Sequence, residues 1–375
     1  MIQAGVIGVG QTKYDAKRRD VSMAGLVREA IDNAMLAANV EWDAIDAVIL
    51  GKAPDMFEGV IMPELYLADA IGAVGKPVLR VHTAGSVGGS TAVIAASHVC
   101  SGQFKTVLTV TFEKQSESNA TWALSPRYPY SPHINAGAGG YFAPFIREYI
   151  RRYEAPEHIG WKVAAKERQN ALKNPLAHLQ IPGIDEKMVS DTPMLWEPLR
   201  YLESCPSSDG ACAMVITAKD KVGSRDVAWI KGMAVRSEGT LSAGRDEVNP
   251  QAGIDCAQDI YNQAGITNPL KEIDCAEIYV PFSWYEPMWL ENLGFCELGE
   301  GWKLTDQGAT AMGGEMPFNM SGGVLSSNPI GASGMIRFGE AALQVMGLGE
   351  DHQVDGAKVA MGHAYGGAAQ FFAMW

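Results

Sequence analysis

The sequence predicts an α/β protein built from two copies of one unit, and three observations lead to that fold class. Short runs rich in β-branched residues alternate with segments whose apolar residues recur every three or four positions, as strands and helices do in βαβ units. This alternation favours a mostly parallel sheet covered by helices on both faces. Pairs of similar segments also occur in the same order in two parts of the chain, and a long insert separates those parts.

The first part of the chain supplies the strands and helices of one unit. Each strand is a short apolar run, which indicates burial on both faces, and each helix shows apolar residues at three- and four-residue spacing. The expected strands are Val6–Val9, Ala47–Leu50, Val78–Val81 and Thr106–Thr111, and the expected helices are Ser22–Ala38 and Ser90–Cys100.

The second part of the chain repeats this order. The segment Ile273–Ile278 resembles the one that begins at Ile45, and Pro329–Ser333 resembles Ser86–Ser90. Because both matches occur in the same order and at similar separations, they indicate a duplicated unit.

The insert runs from about Glu113 to Ser207 and is rich in proline and aromatic residues. Those residues include Trp122, Pro126–Tyr130, Tyr141, Phe142, Trp161 and Trp196. Such a segment is typical of a lid or a pocket wall, and a dimer contact or a satellite layer explains the composition equally well. We place the first half at residues 1–112 and 206–228, the loop domain at 113–205 and the second half at 229–375.

Composition and charge exclude several classes of function. Acidic residues number 43 against 30 basic ones, and the formal net charge of −13 argues against binding nucleic acid. No apolar run reaches the roughly 20 residues of a membrane span, and the N-terminus lacks a signal-peptide pattern, so we expect a cytoplasmic protein without membrane contact. The six cysteines have no metal-ligand spacing, which predicts free thiols and no metal site.

Two glycine-rich turns open the helices that the duplication pairs. Gly85–Ser90 is expected to expose the Ser86 side chain over a helix N-terminus, where backbone N–H groups favour negative charge. Ser326–Gly334 opens the equivalent helix, and Asn328 is expected in the loop before that helix. Its side-chain amide could donate a hydrogen bond to a developing oxyanion. A serine becomes a nucleophile only when a base activates it, so a tight turn that needs glycines explains the first motif as well.

Two tyrosines and a histidine lie near predicted strand ends in the second half. Tyr279 follows a buried strand, while His363 and Tyr365 belong to the glycine-rich segment Met361–Ala368 between two strand-like runs. A duplicated fold would bring the two tyrosines together, and His363 could titrate near neutrality. Core packing with a bonded hydroxyl explains either tyrosine as well.

Together these motifs resemble the thiolase superfamily over nearly the full chain, and they look closest to the branch of SCP2-type thiolases and bacterial steroid-degradation lipid-transfer proteins. The family's Asn-Cys-Ala-Thr-Gly-Ser-Thr-Ala matches Gly85–Ala92, its Gly-His-Pro-Xaa-Gly-Ala-Ser-Gly matches Ser327–Gly334, and its His-Asp-Cys-Phe matches Tyr279–Phe282. The segments Asn174–Ala177 and Ser208–Ala211 also match family segments. The resemblance implies a five-layered αβαβα fold of two βαβαβαββ halves with a loop domain inserted, and a homodimer.

The departures from the family pattern fall on its reactive residues. The acylated cysteine is Ser86 here, and Asn328 and Tyr279 replace two histidines; the second cysteine is absent near the C-terminal turn Gly362–Ala368. Cleaving a 3-ketoacyl thioester needs a nucleophile. A 3-hydroxyacyl thioester needs only a base that removes the hydroxyl proton, and the same thioester enolate then leaves. Loss of the cysteine together with a retained enolate pocket therefore predicts a retro-aldol reaction.

The steroid side-chain aldolases that the chain resembles imply the substrate and the assembly. They cleave a 17-hydroxy steroid side-chain CoA thioester to a 17-ketosteroid and a short acyl-CoA such as propionyl-CoA. They also work with a small zinc-ribbon/OB-fold (DUF35-type) partner. The resemblance implies coenzyme A as part of the substrate and no permanently bound cofactor. By position in the loop domain, Lys162, Lys166 and Arg168 are candidates to contact the CoA phosphates.

Within this hypothesis Tyr279 and Tyr365 supply the acid and base, with His363 as a possible proton relay. Asn328 and backbone N–H groups near Ser86 hold the enolate oxygen, and Gly366 belongs to the same substrate site. Two alternatives stay open. One is a thiolase or acyltransferase that uses Ser86, and the other is a non-catalytic homologue that only binds acyl-CoA.

Overall fold

The computed structural model describes residues 3–53, 57–119, 137–239, 243–367 and 369–375. The strands are β1 (Ala4–Gln11), β2 (Ala47–Lys52), β3 (Val78–Val81), β4 (Thr106–Lys114), β5 (Met194–Trp196), β6 (Leu199–Arg200), β7 (Asp209–Ala218), β8 (Ala228–Trp229), β9 (Ala234–Ser237), β10 (Cys275–Glu277), β11 (Ala360–Gly366) and β12 (Phe371–Met374). The helices are α1 (Met23–Ala38), α2 (Pro63–Leu67), α3 (Val87–Cys100), α4 (Gly137–Tyr153), α5 (His158–Ala171), α6 (Glu186–Ser190), α7 (Gln251–Ala264), α8 (Pro269–Glu272), α9 (Tyr285–Asn292), α10 (Gly301–Asp306), α11 (Gly323–Ser326) and α12 (Ile330–Met346).

The first sheet has the strand order β3-β2-β4-β7-β1-β8. The four predicted strands and both predicted helices of this half are confirmed, with ends shifted by a few residues. β2 pairs in parallel with β3 and β4, whereas β7 runs antiparallel to both of its neighbours, β4 and β1. The sheet is therefore mixed, and the expectation of a mostly parallel sheet was wrong because β7 enters between β4 and β1 against their direction.

The second sheet repeats the order of the first. Its strands run β10-β11-β12-β9, with β10 parallel to β11 and β12 antiparallel to both neighbours. Phe318 adds a parallel bridge to Ala276 on the outer side of β10. The series Phe318, β10, β11, β12 and β9 thus corresponds to β3, β2, β4, β7 and β1, which confirms the predicted duplication.

The helix α1 shows how the local sequence produces these elements. The hydroxyl of Ser22 caps the helix by accepting from the backbone N–H of Gly25 at 3.1 Å, and Asn39 ends the helix in the left-handed conformation (φ 49°). Residues at three- and four-residue spacing, such as Leu26 and Ala30, are fully buried. This face packs on β1 and β7.

Helices α3 and α12 form a central layer between the two sheets, since each contacts strands of both. Their backbones approach closely: a Cβ on Gly88 would overlap the backbone nitrogen of Met335, and one on Gly334 would lie 2.8 Å from the nitrogen of Gly89. Only glycine fits there. With α1 outside the first sheet and α7 packed on β9 and β12, the layers are α, β, α, β, α.

The described part of the insert packs on the second half. Ile146, Tyr149 and Ile159 of the insert share one apolar cluster with Trp284 and Met288. The aromatic residues Trp122 and Pro126–Tyr130, expected in a lid or interface, lie outside the described residues. None of the helices in the described ranges combines the length and apolar composition that crossing a bilayer would take.

Candidate active site

Two tyrosines meet at the carboxyl ends of the neighbouring parallel strands β10 and β11. Tyr279 follows the end of β10, and Tyr365 lies near the end of β11. Their ring centroids are 6.2 Å apart, and the side chains are 3% and 2% exposed. The prediction that the duplicated fold brings these residues together is confirmed.

An aromatic shell encloses Tyr365. The ring centroids of Trp289, Tyr285 and Phe372 lie 5.1, 5.6 and 5.6 Å from that of Tyr365, and Phe142 of the insert covers it at 5.9 Å. In this apolar surrounding, burial raises the pKa of Tyr365 well above its ordinary value. The hydroxyl is therefore neutral near pH 7.

Tyr279 is neutral for the same reason. Burial is the largest cause that raises the pKa of its hydroxyl, and the neighbouring Cys205 and Tyr365 add to the effect, while a hydrogen bond with Ser333 opposes it. The backbone carbonyl of Tyr279 accepts a hydrogen bond from the Trp289 indole at 2.8 Å, which anchors the residue below the shell.

His363 lies two residues before Tyr365, in β11 itself and not in the turn. The ring is fully buried, with Trp289 and Phe372 at centroid distances of 5.5 and 6.0 Å. Burial lowers the pKa of His363 to about 3, so the expectation that it titrates near neutrality was wrong. Nδ1 accepts from the backbone N–H of Tyr279 at 3.2 Å. The proton of the neutral ring is therefore assigned to Nε2, which bonds to no group among the described residues.

Two glycines bring the turn of the first half against the tyrosine pair. A Cβ on Gly366 would overlap the backbone nitrogen of Ser86, and one on Gly85 would lie 3.1 Å from the Tyr365 carbonyl oxygen and 3.8 Å from the Tyr279 hydroxyl. The absence of side chains here lets the backbone of the turn approach Gly366 and the Tyr365 carbonyl.

Ser86 is fully buried, and the expectation that the turn exposes its side chain was wrong. Its hydroxyl lies 2.8 Å from the Thr83 carbonyl oxygen and 3.0 Å from the Thr83 hydroxyl. Within the described part of the chain, its hydrogen-bond partners thus belong to the same turn, and none is a histidine or a carboxylate. The geometry does not activate this serine as a nucleophile.

The side-chain amide of Asn328 donates a hydrogen bond to a weak acceptor. Its Oδ1 accepts from the Ser333 hydroxyl at 2.7 Å, and its Nδ2 lies 3.2 Å from the sulfur of Cys205. Because a thiol sulfur is a weak acceptor, a charged oxygen of a ligand would be the better partner for this N–H.

Cys205 is the neighbour that sequence reasoning missed. The only sequence signal was its place just before the segment Ser208–Ala211. Burial raises the pKa of its thiol to about 12, so it is protonated near neutrality. Arg168, proposed as a phosphate contact, is instead buried and donates to the carbonyl oxygens of Leu202 and Ser204, at 2.8 and 3.0 Å. That prediction was wrong because the guanidinium holds the Cys205 loop.

The other two phosphate candidates line a cavity of about 420 Å³ between the loop domain and the second half. Lys166 pairs with the buried Glu286, and Lys162 lies 3.2 Å from the carboxylate of Asp306. In the portion of the chain that the structure describes, no group of three or more His, Cys, Asp or Glu side chains is arranged to hold a metal ion.

Residues 234–374 match the family model described as "Thiolase C-terminal domain-like". A protein named acetyl-CoA acetyltransferase from Methanothermobacter thermautotrophicus is 29% identical, over 98% of this chain and 97% of that protein. Sterol carrier protein 2 of Homo sapiens is 28% identical, over 96% of this chain and 69% of its own length. A solved structure named Ltp2-ChsH2(DUF35) aldolase aligns with a TM-score of 0.86 at 25% identity, over 99% of this chain and 97% of that chain.

Proposed function

Because the chain belongs to the thiolase superfamily, we propose that it cleaves a bulky β-hydroxyacyl-CoA of the 17-hydroxy steroid side-chain type by a retro-aldol reaction. The products are a ketone and a short acyl-CoA such as propionyl-CoA. The comparisons support a thiolase-like enzyme that acts on a CoA thioester. One observation carries the finer proposal. The buried Tyr279, whose ring lies beside that of the buried Tyr365, brings its hydroxyl close to the turn at the nucleophile position of the family, and the Ser86 hydroxyl of that turn is hydrogen-bonded to Thr83.

The raised pKa values of the tyrosines define how they would act. A neutral tyrosine oxygen accepts the proton of the substrate hydroxyl while its own proton moves on, through the second tyrosine, to the enolate carbon. The bond between the α and β carbons breaks, its electron pair becomes that of the thioester enolate, and the β carbon becomes the ketone. No net proton is gained or lost, so neither tyrosine has to exist as a free tyrosinate.

The enolate oxygen would be held by two kinds of donor. Nδ2 of Asn328 would exchange the weak sulfur acceptor for the oxygen. The backbone N–H groups of Ser86 and Val87, which donate to the carbonyl oxygens of Thr83 and Ala84 at 3.3 and 3.2 Å, would exchange those acceptors for it as well. Each preorganised donor of this kind contributes about 3–4 kcal/mol in comparable sites. His363, buried and neutral, supports the backbone of Tyr279 through its Nδ1.

The name of the aligned aldolase structure supports a DUF35-type partner for this chain. For the homodimer, the support is an apolar patch at the outer edge of the first sheet. Its side chains are between 40% and 73% exposed and lie on β3 and the segment before it: Ile61, Leu65, Tyr66, Val74 and Leu79. A sheet edge flanked by such a patch is typical of an interaction surface.

Acyl transfer through Ser86 is the second candidate, and the name of the archaeal relative favours it. Such a reaction needs a base beside Ser86, and both of its hydroxyl partners among the described residues are atoms of Thr83. A non-catalytic homologue that only binds acyl-CoA is the third.

One experiment separates the three. The chain is co-expressed with a DUF35-type partner and incubated with a β-hydroxyacyl-CoA that carries a steroid ring. We expect a ketosteroid and propionyl-CoA in equal amounts, with no free CoA consumed. Consumption of free CoA with a 3-ketoacyl-CoA would instead establish thiolysis, and tight binding without turnover in either assay would leave the binding homologue.

A further inference from the structure

Two segments matched in the sequence, Asn174–Ala177 and Ser208–Ala211, have no part in the proposed reaction. Ser208 of the second bonds to the backbone of Asn328, and His178, which follows the first, bonds to Ser208. The Ser208 hydroxyl accepts from the Asn328 N–H at 3.0 Å. The Asn328 carbonyl oxygen accepts from the Ser208 N–H at 3.2 Å and from the side-chain amide of Gln115. The backbone of Asn328 is therefore held on both its N–H and its carbonyl side.

His178 completes this arrangement from the insert. Its Nδ1 lies 2.8 Å from the Ser208 hydroxyl oxygen, and its own backbone N–H donates to the Ser327 hydroxyl at 3.0 Å. Because the Ser208 oxygen accepts from Asn328, its proton needs an acceptor, and Nδ1 of a neutral His178 is within reach.

Burial keeps His178 neutral. Burial is the largest cause that lowers the pKa of His178, and the nearby Lys13 and Arg168 act in the same direction, while Asp15 and Asp209 oppose it. The buried Ser208 hydroxyl therefore has a stable acceptor near pH 7.

The segment before His178 is itself fixed to the first half. Lys13 donates through its ammonium group to the carbonyl oxygens of Pro175 and Ala177, at 2.7 and 2.8 Å. The backbone N–H of Tyr14 donates to the carbonyl oxygen of Leu176 at 3.0 Å. The segment that carries His178 is thus anchored to the residues that follow β1.

We propose that His178 is a positioning residue: acting through Ser208, it fixes the loop that carries Asn328 and so aims the amide donor at the substrate oxygen. His178 does not touch the substrate. The consequence for catalysis rests on the proposed function, whereas the placement of Asn328 can be measured without it.

The kinetic test compares two replacements of His178. His178→Leu removes the acceptor, and we expect kcat to fall about tenfold or more with little change in KM, because a small displacement of a positioned donor costs up to about 10² in rate. His178→Gln keeps an acceptor and should restore most of kcat. His98→Leu is the matched control, since His98 bonds to Gln103 at 2.8 Å on the surface. Equal losses in the Leu and Gln variants would overturn the proposal.

The second test does not depend on turnover. The thiol of Cys205 contacts the Asn328 amide, so its alkylation by iodoacetamide reports the position of that amide. We expect His178→Leu and Ser208→Ala to change the labelling rate of Cys205 about threefold or more relative to the half-buried Cys100 and Cys296, and His178→Gln to leave it unchanged.

An unchanged Cys205 rate in the first two variants would overturn the inference, even if the wild-type protein shows no aldolase activity. Conversely, if the wild-type protein shows no aldolase activity but the variants change the Cys205 labelling rate, the proposed reaction is refuted and the positioning role of His178 stands. If His178→Leu does not fold, Ser208→Ala removes only a hydroxyl and carries the same test.

Discussion

The two helices of the central layer begin in equivalent places, but their first turns differ in what they offer a substrate. At the start of α3 the Ser86 hydroxyl is bonded within its own turn, and so are the backbone N–H groups of Ser86 and Val87. That turn can therefore offer a substrate only backbone N–H groups, which would exchange their present acceptors for it. The loop before α12 carries Asn328, whose amide contacts the weak sulfur acceptor of Cys205 and the hydroxyl of Ser333, two groups that also act on Tyr279. Under the proposed function, the comparison teaches that the duplicated halves would divide the work: the first would provide backbone donors, and the second side-chain chemistry.

Replacing the tyrosines tests the side-chain half of this comparison and has the largest expected effect. Tyr365→Phe and Tyr279→Phe keep the packed rings and remove the hydroxyls that would relay the proton. We expect each to lower kcat for retro-aldol cleavage by about 10²–10⁴, the range of general acid–base catalysis. Steady-state kinetics with the partner present measures this.

A third tyrosine provides the control for that experiment. Tyr261 in α7 is also buried, and its hydroxyl donates to the Leu293 carbonyl oxygen at 2.7 Å, away from the site. Tyr261→Phe should therefore reduce stability and leave kcat near the wild-type value. Full rates in both Tyr365→Phe and Tyr279→Phe would remove the tyrosines from the reaction.

The sequence was sufficient to predict the elements and the meeting of Tyr279 with Tyr365, because hydrophobic periodicity and glycine turns are local signals and the duplication supplies the symmetry. It was not sufficient for Ser86 and His363. Whether a hydroxyl bonds to its own turn, or a ring is buried among aromatic groups, depends on contacts between residues far apart in the chain. The contact of Cys205 with Asn328 spans more than a hundred residues and has no sequence pattern.

Replacing Asn328 tests the amide donor of the loop before α12 and has the next largest expected effect on kcat. Asn328→Ala removes the amide donor to the enolate oxygen, and we expect kcat to fall about 10²–10³. Asn33→Ala is a suitable control, because that amide donates to the Gln11 carbonyl oxygen at 2.9 Å on the outer layer. A rise in KM with kcat unchanged would show that the amide binds substrate without favouring the transition state.

The depressed pKa of His363 makes a prediction for acid. Between its ordinary pKa near 6.5 and its folded value of about 3, the unfolded chain binds a proton that the folded chain does not. The free energy of unfolding should therefore fall as the pH decreases through this window, by at most about 1.4 kcal/mol per pH unit from this residue. Chemical denaturation of wild-type and His363→Gln protein at several pH values measures the difference.

His363→Gln should show the shallower dependence on pH, because it has no group to protonate there. Equal slopes in the two proteins would mean that His363 is not buried in its neutral form. The pH profile of kcat should also show no change near pH 6.5 that is due to His363, whereas a relay that titrates there would produce one.

Ser86→Ala tests the backbone half of the comparison and has the smallest expected effect. Losing the bond to Thr83 should cost about 0.5–1.5 kcal/mol of stability, while kcat stays close to wild type because the backbone N–H remains. Ser333→Ala is its counterpart in α12: the Ser333 hydroxyl orients the Asn328 amide at 2.7 Å, so kcat should fall measurably there. If Ser86→Ala abolished turnover and Ser333→Ala did not, side-chain chemistry would belong to the first half, and acyl transfer through Ser86 would replace the aldolase.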